Sequence, residues 1–305
     1  MHINQQAKNM LKKAAYWSLS PGFELVLKEI YSHARSMCFP KDMKALYAKN
    51  KIFYNIHKGE RCFILATGPS ISAQDLRPLR HETCFAVSQF FLHKDIKEID
   101  PLYHIDPPLH PPFNFDLPMR AFDDFQKFYS SRTTYFLGYD PYQYSWYDFL
   151  EQNPQFKKES IHFLNYCNYP MMDESNYNNP NRWDICKLLF GPKTVIYCAI
   201  QVAAYMGFNR IYLLGCDHDY LKDVTRITNH HFYTEEESGM SDVEHLSAFD
   251  TERWFIQYYY RWKHYRLMNE YLTSKGCNIF NATNGGMLDV FPRVRFEDVI
   301  SNKNK

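Results

Sequence analysis

The sequence predicts an α/β protein, a mostly parallel sheet with helices on both faces, preceded by a helical N-terminal extension. Three observations predict it. From Arg61 onward, short apolar runs of strand length alternate with stretches of helical periodicity. The runs read as buried strands, as a sheet covered on both faces requires. The chain, at 305 residues, is long enough for one large core with appendages.

Residues 1–58 form the extension and residues 59–300 the α/β domain. In the extension, QQAKNMLKKAAYWSLS sets Met10, Leu11, Ala14 and Trp17 beside Lys8, Lys12 and Lys13. Such a basic amphipathic helix suits either a membrane surface, through residues 1–20, or a docking face on the main domain. A second helix follows in SPGFELVLKEIYSHA, with Ser20 as N-cap and Pro21 in the first turn. The domain opens with the strand CFILA, a short helix or turn in SAQDLRPL, and the strands CFAVS and PLYHID. MRAFDDFQKFYSS reads as a helix, TTYFLG as a strand, and residues 139–192 as irregular apart from a strand in SIHFLN. PKTVIYCAIQVAAYMGF is an apolar helix that Gly207 ends in a left-handed cap. The strand NRIYLLGCD follows. A long amphipathic helix, AFDTERWFIQYYYRWKHYRLMNEYLTSKG, then carries Phe255, Tyr258, Tyr259, Trp262, Tyr265 and Leu272 near one face. CNIFNAT is the last strand.

Bulk composition narrows the function. Lys and Arg number 35 against 34 Asp and Glu, so the chain as a whole is not built for nucleic acid. None of the eight cysteines forms a C-x-x-C pair and most sit in apolar runs, which reads as reduced thiols of a cytoplasmic protein. No run of 18 apolar residues exists to span a membrane, and the N-terminus lacks the apolar core of a signal peptide.

Sheets of this class bind ligands beyond the carboxyl ends of their strands, at a switch point in strand order. The polar residues at those ends are therefore the candidates. The first strand runs into Ala66-Thr67-Gly68-Pro69-Ser70, either a phosphate cradle with N–H groups at a helix start or a plain tight turn. The second ends at Ser88-Gln89, and the third at Asp106, held extended by Pro107, as a ligand contact or a turn starter. Cys216-Asp217-His218-Asp219-Tyr220 brings three polar side chains out of a buried strand together, which is costly unless they have partners. His230 and His231 fall in a loop beside Phe232 and Tyr233, as a general base or as solvated surface residues. Asn284-Gly285-Gly286 allows a close-approach loop over a ligand, or a turn.

Four segments taken together, NIHKGERCFILATGPSI, YCAIQVAAYMGFNRIYLLGCDHDY, HHFY and IFNATNGGMLDVFPRV, resemble the MptE-like (6-hydroxymethylpterin diphosphokinase-like) domain. That family is also found in the motility-associated flagellin glycosylation factors. It is similar in turn to the bacterial sialyltransferases of glycosyltransferase family 42. The resemblance covers about residues 55–300. It implies one Rossmann-like domain with a small lid at about 218–245, and an inverting glycosyltransferase that transfers a nonulosonate from a CMP-activated donor without a cofactor.

Carried over residue by residue, the resemblance implies that Thr67, Gly68, Pro69 and Ser70 approach the nucleotide, with Thr67 where the sialyltransferases have Asn. Ser88 and Gln89 match a donor-contacting segment, with Ser88 in place of another Asn. Asp106 and Thr194, with Asp219, Asn284 and Gly285, complete the donor-binding set. Tyr220 stands near the donor phosphate, Asp217 beside it, and His231 before Phe232 is the general base. Lys193 is a candidate for a charge that the sialyltransferases place before the apolar helix. The acceptor implied is a cell-surface glycan or its lipid-linked precursor, reached from the cytoplasm or peripherally at the inner membrane. A homo-oligomer is compatible with this reading. Two alternatives stand beside it. A magnesium-dependent diphosphokinase acting with ATP would hold the ion on Asp106, Asp217 and Asp219. A non-catalytic nucleotide-sugar-binding subunit would bind without turnover.

Overall fold

The computed structural model describes residues 41–109, 116–140, 144–166, 177–191, 193–223, 230–234 and 250–301. The chain divides into two compact units, 1–44 and 45–305. The helices expected within residues 1–40, and the membrane contact of residues 1–20, lie outside the described residues.

Seven parallel strands form one sheet: β1 (Arg61–Leu65), β2 (Thr83–Val87), β3 (Tyr103–Asp106), β4 (Thr134–Tyr139), β5 (Ile161–Asn165), β6 (Arg210–Leu214) and β7 (Asn278–Asn281). The helices described are α1 (Lys41–Ala48), α2 (Ile96–Ile99), α3 (Leu117–Phe128), α4 (Trp146–Gln152), α5 (Val195–Tyr205), α6 (Thr251–Ser274) and α7 (Phe296–Ser301). All seven strands expected from the apolar runs are present, within three residues at their ends.

The sheet is covered on both faces, which is why its strands are apolar without alternation. Cys62 and Ile64 of β1 join one core with Phe85, Ile105, Phe136 and Leu213, under Ile196, Cys198, Ala199 and Ile200 of α5. Phe63, on the opposite face of the same strand, stacks on Tyr212 and meets Phe296 of α7 edge-on. Thr194 caps α5 by accepting from the Ile196 N–H, and Gly207 follows the helix at φ +89°, as the sequence predicts.

Two local expectations change, and a third narrows. SAQDLRPL, read as a short helix or a turn, takes the turn form. It is divided between two short 3₁₀ turns, Pro69–Ala73 and Arg77–His81, with the Leu76 N–H given to the Asp95 carboxylate. The stretch 139–192 is less irregular than its composition suggests. It holds α4, whose capping box joins Ser145 and Asp148. On α6, Tyr258, Tyr265 and Leu272 are buried, but Phe255 and Tyr259 are 61% exposed. At 3.6 residues per turn these two fall on the flank of the stripe, away from the sheet.

Strand order is β5-β4-β3-β2-β1-β6-β7. The chain builds outward from β1 to β5, then returns to lay β6 on the other side of β1. The carboxyl ends of β1 and β6 therefore meet at the switch point, where the crossover loops separate and leave a crevice.

Candidate functional site

A cleft with about 510 Å³ of empty space, including its open side, sits at this switch point. It is lined from β1 by Ala66, Thr67 and Gly68, from β2 by Val87 and Ser88, and from the start of α5 by Thr194, Val195 and Ile196. The segment after β6 supplies residues 215–220, and His230 and His231 close the wall.

The β1–β6 ladder continues past the strand ends. The Ala66 N–H donates to Leu214 O (2.8 Å) and the Gly68 N–H to Gly215 O (2.9 Å). This holds Thr67 at the cleft. Thr67 then anchors the HHFY segment twice. Its carbonyl accepts from the Phe232 N–H (3.0 Å), and its hydroxyl Oγ1 lies 2.8 Å from Nδ1 of His231. Phe232 packs edge-on against Phe90 and His93, and the His231 ring stacks on Tyr233 with centroids 4.9 Å apart. An imidazole held by one nitrogen and stacked on one face has a fixed orientation.

Asp217 fastens the two strand ends together. Its Oδ2 accepts from Ser70 Oγ (2.9 Å) and from the Ser70 N–H (3.3 Å). The carboxylate also fills the space beside Gly68, where a Cβ would stand 1.9 Å from Oδ2 and 2.4 Å from Gly215 O. From the other side, Gly286 packs on the Asp217 backbone at φ +74°, and the Met287 N–H donates to Asp217 O (2.7 Å). The expectation of free N–H groups for a phosphate at this turn is thus corrected at Ser70, whose N–H goes to the protein's own carboxylate. Glycine is needed at 68 to admit Asp217. Burial pushes the Asp217 carboxyl above its usual range, opposed by the two Ser70 hydrogen bonds.

Two of the four non-glycine residues with positive φ among those described, Ser88 and His218, line this cleft, both at φ 47°. Left-handed backbone costs on the order of 1 kcal/mol for such residues and concentrates at functional sites. His218 turns inward, with Nε2 2.8 Å from the Tyr265 hydroxyl. Burial, with the Arg261 charge adding to it, pushes this imidazole down to about 3, so it stays neutral. His230 lies between Asp219 (3.7 Å) and Asp223 (3.6 Å) and packs on the Tyr220 ring at 4.5 Å.

Of the residues expected at the site, Thr67, Gly68, Ser88, Thr194, Asp217, Asp219, Tyr220 and His231 line the cleft. Pro69, Ser70, Gln89, Asp106, Asn284 and Gly285 are not in its wall. Asp106 is held by His104 Nε2 at 2.9 Å. Gly285 O accepts from Arg293 (2.5 Å), which ties down a loop that the glycines left open as a cover over the ligand or a plain turn. Lys193 donates to Gln257 of α6. The expected lid, 218–245, is described only at 218–223 and 230–234. His218 and His230, to which the resemblance gave no role, also line the cleft, and both stand in segments the sequence singled out.

The three carboxylates that would suit magnesium do not assemble. Asp217 is engaged by Ser70, Asp219 faces Lys222 and His230, and Asp106 is outside the wall. No group of three or more His, Cys, Asp or Glu side chains is arranged for a metal among the described residues. The six described cysteines are free thiols, and no described helix is long and apolar enough to cross a membrane.

No family model matches the chain, and no curated protein matches it. Among solved structures it is similar to the MAf glycosyltransferase of Magnetospirillum magneticum AMB-1, at 15% identity and a TM-score of 0.44 over 90% of this chain. The chain spans 42% of that protein. It is also similar to the sialyltransferase CstII of Campylobacter jejuni, solved with the substrate analogue CMP-3FNeuAc. That likeness has 12% identity and a TM-score of 0.43, over 77% of this chain and 86% of that one. CstII has also been solved with a trisaccharide acceptor and CMP, a structure similar to this chain at 11% identity and a TM-score of 0.42.

Proposed function

We propose that this chain is an inverting glycosyltransferase. It takes a nonulosonate from a CMP-activated donor and passes it to a hydroxyl of a cell-surface glycan or its lipid-linked precursor. The observation that carries this reading is the His231 imidazole, oriented by Thr67 in the same cleft as Ser88, Thr194 and Tyr220.

With Nδ1–H donating to Thr67 Oγ1, Nε2 is the basic nitrogen. It accepts the proton of the acceptor hydroxyl as that oxygen attacks the anomeric carbon. The bond from this carbon to the phosphate oxygen breaks on the opposite face, and CMP leaves with the electron pair. The configuration inverts. Tyr220 donates its hydroxyl hydrogen bond to the leaving phosphate. Ser88 and the Thr67–Gly68 backbone hold the nucleotide, and the N-terminus of α5, eleven residues long, presents its positive end to the cleft. Asp217 acts as a positioning residue that joins the turn after β1 to the end of β6.

The test begins with thermal shifts against CMP, UDP, GDP and ATP with magnesium. A ligand at a hundred times its dissociation constant stabilises by about 2.7 kcal/mol. CMP should respond. Turnover of a CMP-linked nonulosonate should survive EDTA and fall about 10²–10⁴-fold in His231→Ala, with CMP affinity retained. A response to ATP-magnesium alone, or His231→Ala at full turnover, would overturn the proposal. CMP binding with no turnover of donor in the presence of acceptor extracts would make the chain a binding subunit.

A further inference from the structure

Among its described residues, the wall of the cleft contains two carboxylates, Asp217 and Asp219, and no lysine or arginine. A nucleotide phosphate entering such a wall needs positive charge from behind it. Tyr220 is the side of the wall that faces α6. The Arg261 guanidinium lies against it, with Cζ 5.5 Å from the Tyr220 ring centroid and 5.2 Å from that of Tyr258. Two of its nitrogens, Nε and Nη1, are buried with no hydrogen-bond partner among the described residues. The hydroxyl of Tyr258, on a side chain only 4% exposed, faces this guanidinium and makes no hydrogen bond of good geometry among the described residues. The Tyr258 ring packs against Tyr220 with centroids 6.2 Å apart.

Buried N–H and O–H groups are almost always satisfied, and leaving one without a partner costs free energy. Here one guanidinium and one phenol, three residues apart on α6, present unsatisfied donors in the same place. Donors beside a positive charge fit a ligand that brings acceptors and negative charge. Lys222 is occupied with Asp219 and Lys193 with Gln257, so neither neighbouring cation duplicates this role.

We propose that Arg261 and Tyr258 form an anion subsite behind Tyr220 that takes the phosphate of the nucleotide donor. This assignment rests on the nucleotide-donor reading above and names the groups that neutralise the donor's charge. The guanidinium would donate through Nε and Nη1 in the forked geometry that arginine offers to phosphate oxygens. As CMP departs it gains charge on those same oxygens, so the subsite also favours the leaving step.

The experiment uses the full chain, with inorganic phosphate, pyrophosphate, CMP and cytidine as probes in calorimetric titrations of wild type, Arg261→Met and Tyr258→Phe. Charge-assisted hydrogen bonds predict that Arg261→Met weakens pyrophosphate and CMP by about 10- to 100-fold. Cytidine, which has no phosphate, should bind both proteins alike. Unliganded Arg261→Met should melt close to wild type, because it gives up the contact of the guanidinium with the Tyr220 and Tyr258 rings but no hydrogen bond of Nε or Nη1. Tyr258→Phe should weaken the same two probes several-fold and serves if the methionine variant does not fold. Arg261-dependent pyrophosphate binding without any CMP binding would keep the subsite and remove the CMP reading. CMP binding that is equal in wild type and Arg261→Met would remove the subsite and keep that reading. Failure of wild type to bind phosphate or pyrophosphate, or an equal loss for CMP and cytidine, would also overturn the subsite.

Discussion

Gly68→Ala is the sharpest perturbation of the strand-end junction. Gly68 sits at φ −62° and ψ 152°, extended backbone that any residue adopts, so alanine meets no conformational penalty there. The whole effect is steric. The new Cβ would stand 1.9 Å from Asp217 Oδ2, 2.4 Å from Gly215 O and 2.8 Å from Asp217 Cγ, where ordinary contact begins at 3.4 Å. The carboxylate must move by about 1.5 Å and the β6 carbonyl by about 1 Å. Such overpacking costs about 1–3 kcal/mol, and losing the Ser70 hydrogen bonds to a charged acceptor adds about 1.5–3. The expected loss is about 3–5 kcal/mol, or on the order of 10 °C in Tm. Gly276→Ala is the control. It has φ +80° and nothing within 4 Å of a Cβ, so it should cost only the left-handed penalty of about 1 kcal/mol. Urea denaturation of both variants, with CMP thermal shifts alongside, reads the difference. Adding Asp217→Ala to Gly68→Ala should restore part of the stability, since Gly215 O still obstructs. A Gly68→Ala protein no less stable than Gly276→Ala, with its ligand response intact, would refute the packing of Asp217 on Gly68.

Thr67→Val keeps the shape of the side chain but removes the hydroxyl that holds His231. Turnover should fall about 10-fold or more with CMP affinity unchanged, and Thr67→Ser should recover it; equal loss in the serine variant would sink the anchoring role. Burial pushes His162 and His264 down to about 4 and His218 to about 3, so in the folded protein these imidazoles stay neutral where an unfolded chain protonates near 6.5. Stability is then complete above pH 6.5 and lost as the pH falls from there towards 4, by up to about 4 kcal/mol per pH unit for the three together. A urea midpoint that stays flat from pH 7 to pH 5 would contradict this. Arg61 meets Glu82 through Nε (3.0 Å) and Nη2 (2.7 Å), with both side chains nearly buried, so Arg61→Met strands the Glu82 carboxylate and should cost about 3–5 kcal/mol by chemical denaturation. Retention of wild-type stability there would show that solvent reaches Glu82.

Sequence by itself determined the seven strands and the rim on which the cleft lies. Strands buried on both faces must be written as short apolar runs, and the polar residues that end such runs have nowhere to go but the rim. Thr67, Ser88, Asp217 and Tyr220 were legible for that reason, and His231 by the loop HHFY and its resemblance. The α4 helix was legible too, in the spacing of Ser145 and Asp148, and was lost in an Asn- and Pro-rich neighbourhood. Only the tertiary structure decided what each rim residue does. Whether Gly68 makes room for a ligand or for Asp217 depends on β6 lying beside β1, a pairing between segments about 150 residues apart in sequence. The same holds for Thr67 and His231, 164 residues apart, and for Arg261, which inside an aromatic helix carries no local mark of its orphaned donors. Local patterns encode burial, because burial is a property of one segment and its period. Partnership between side chains is a property of two segments, and it exists only once the chain has closed the sheet.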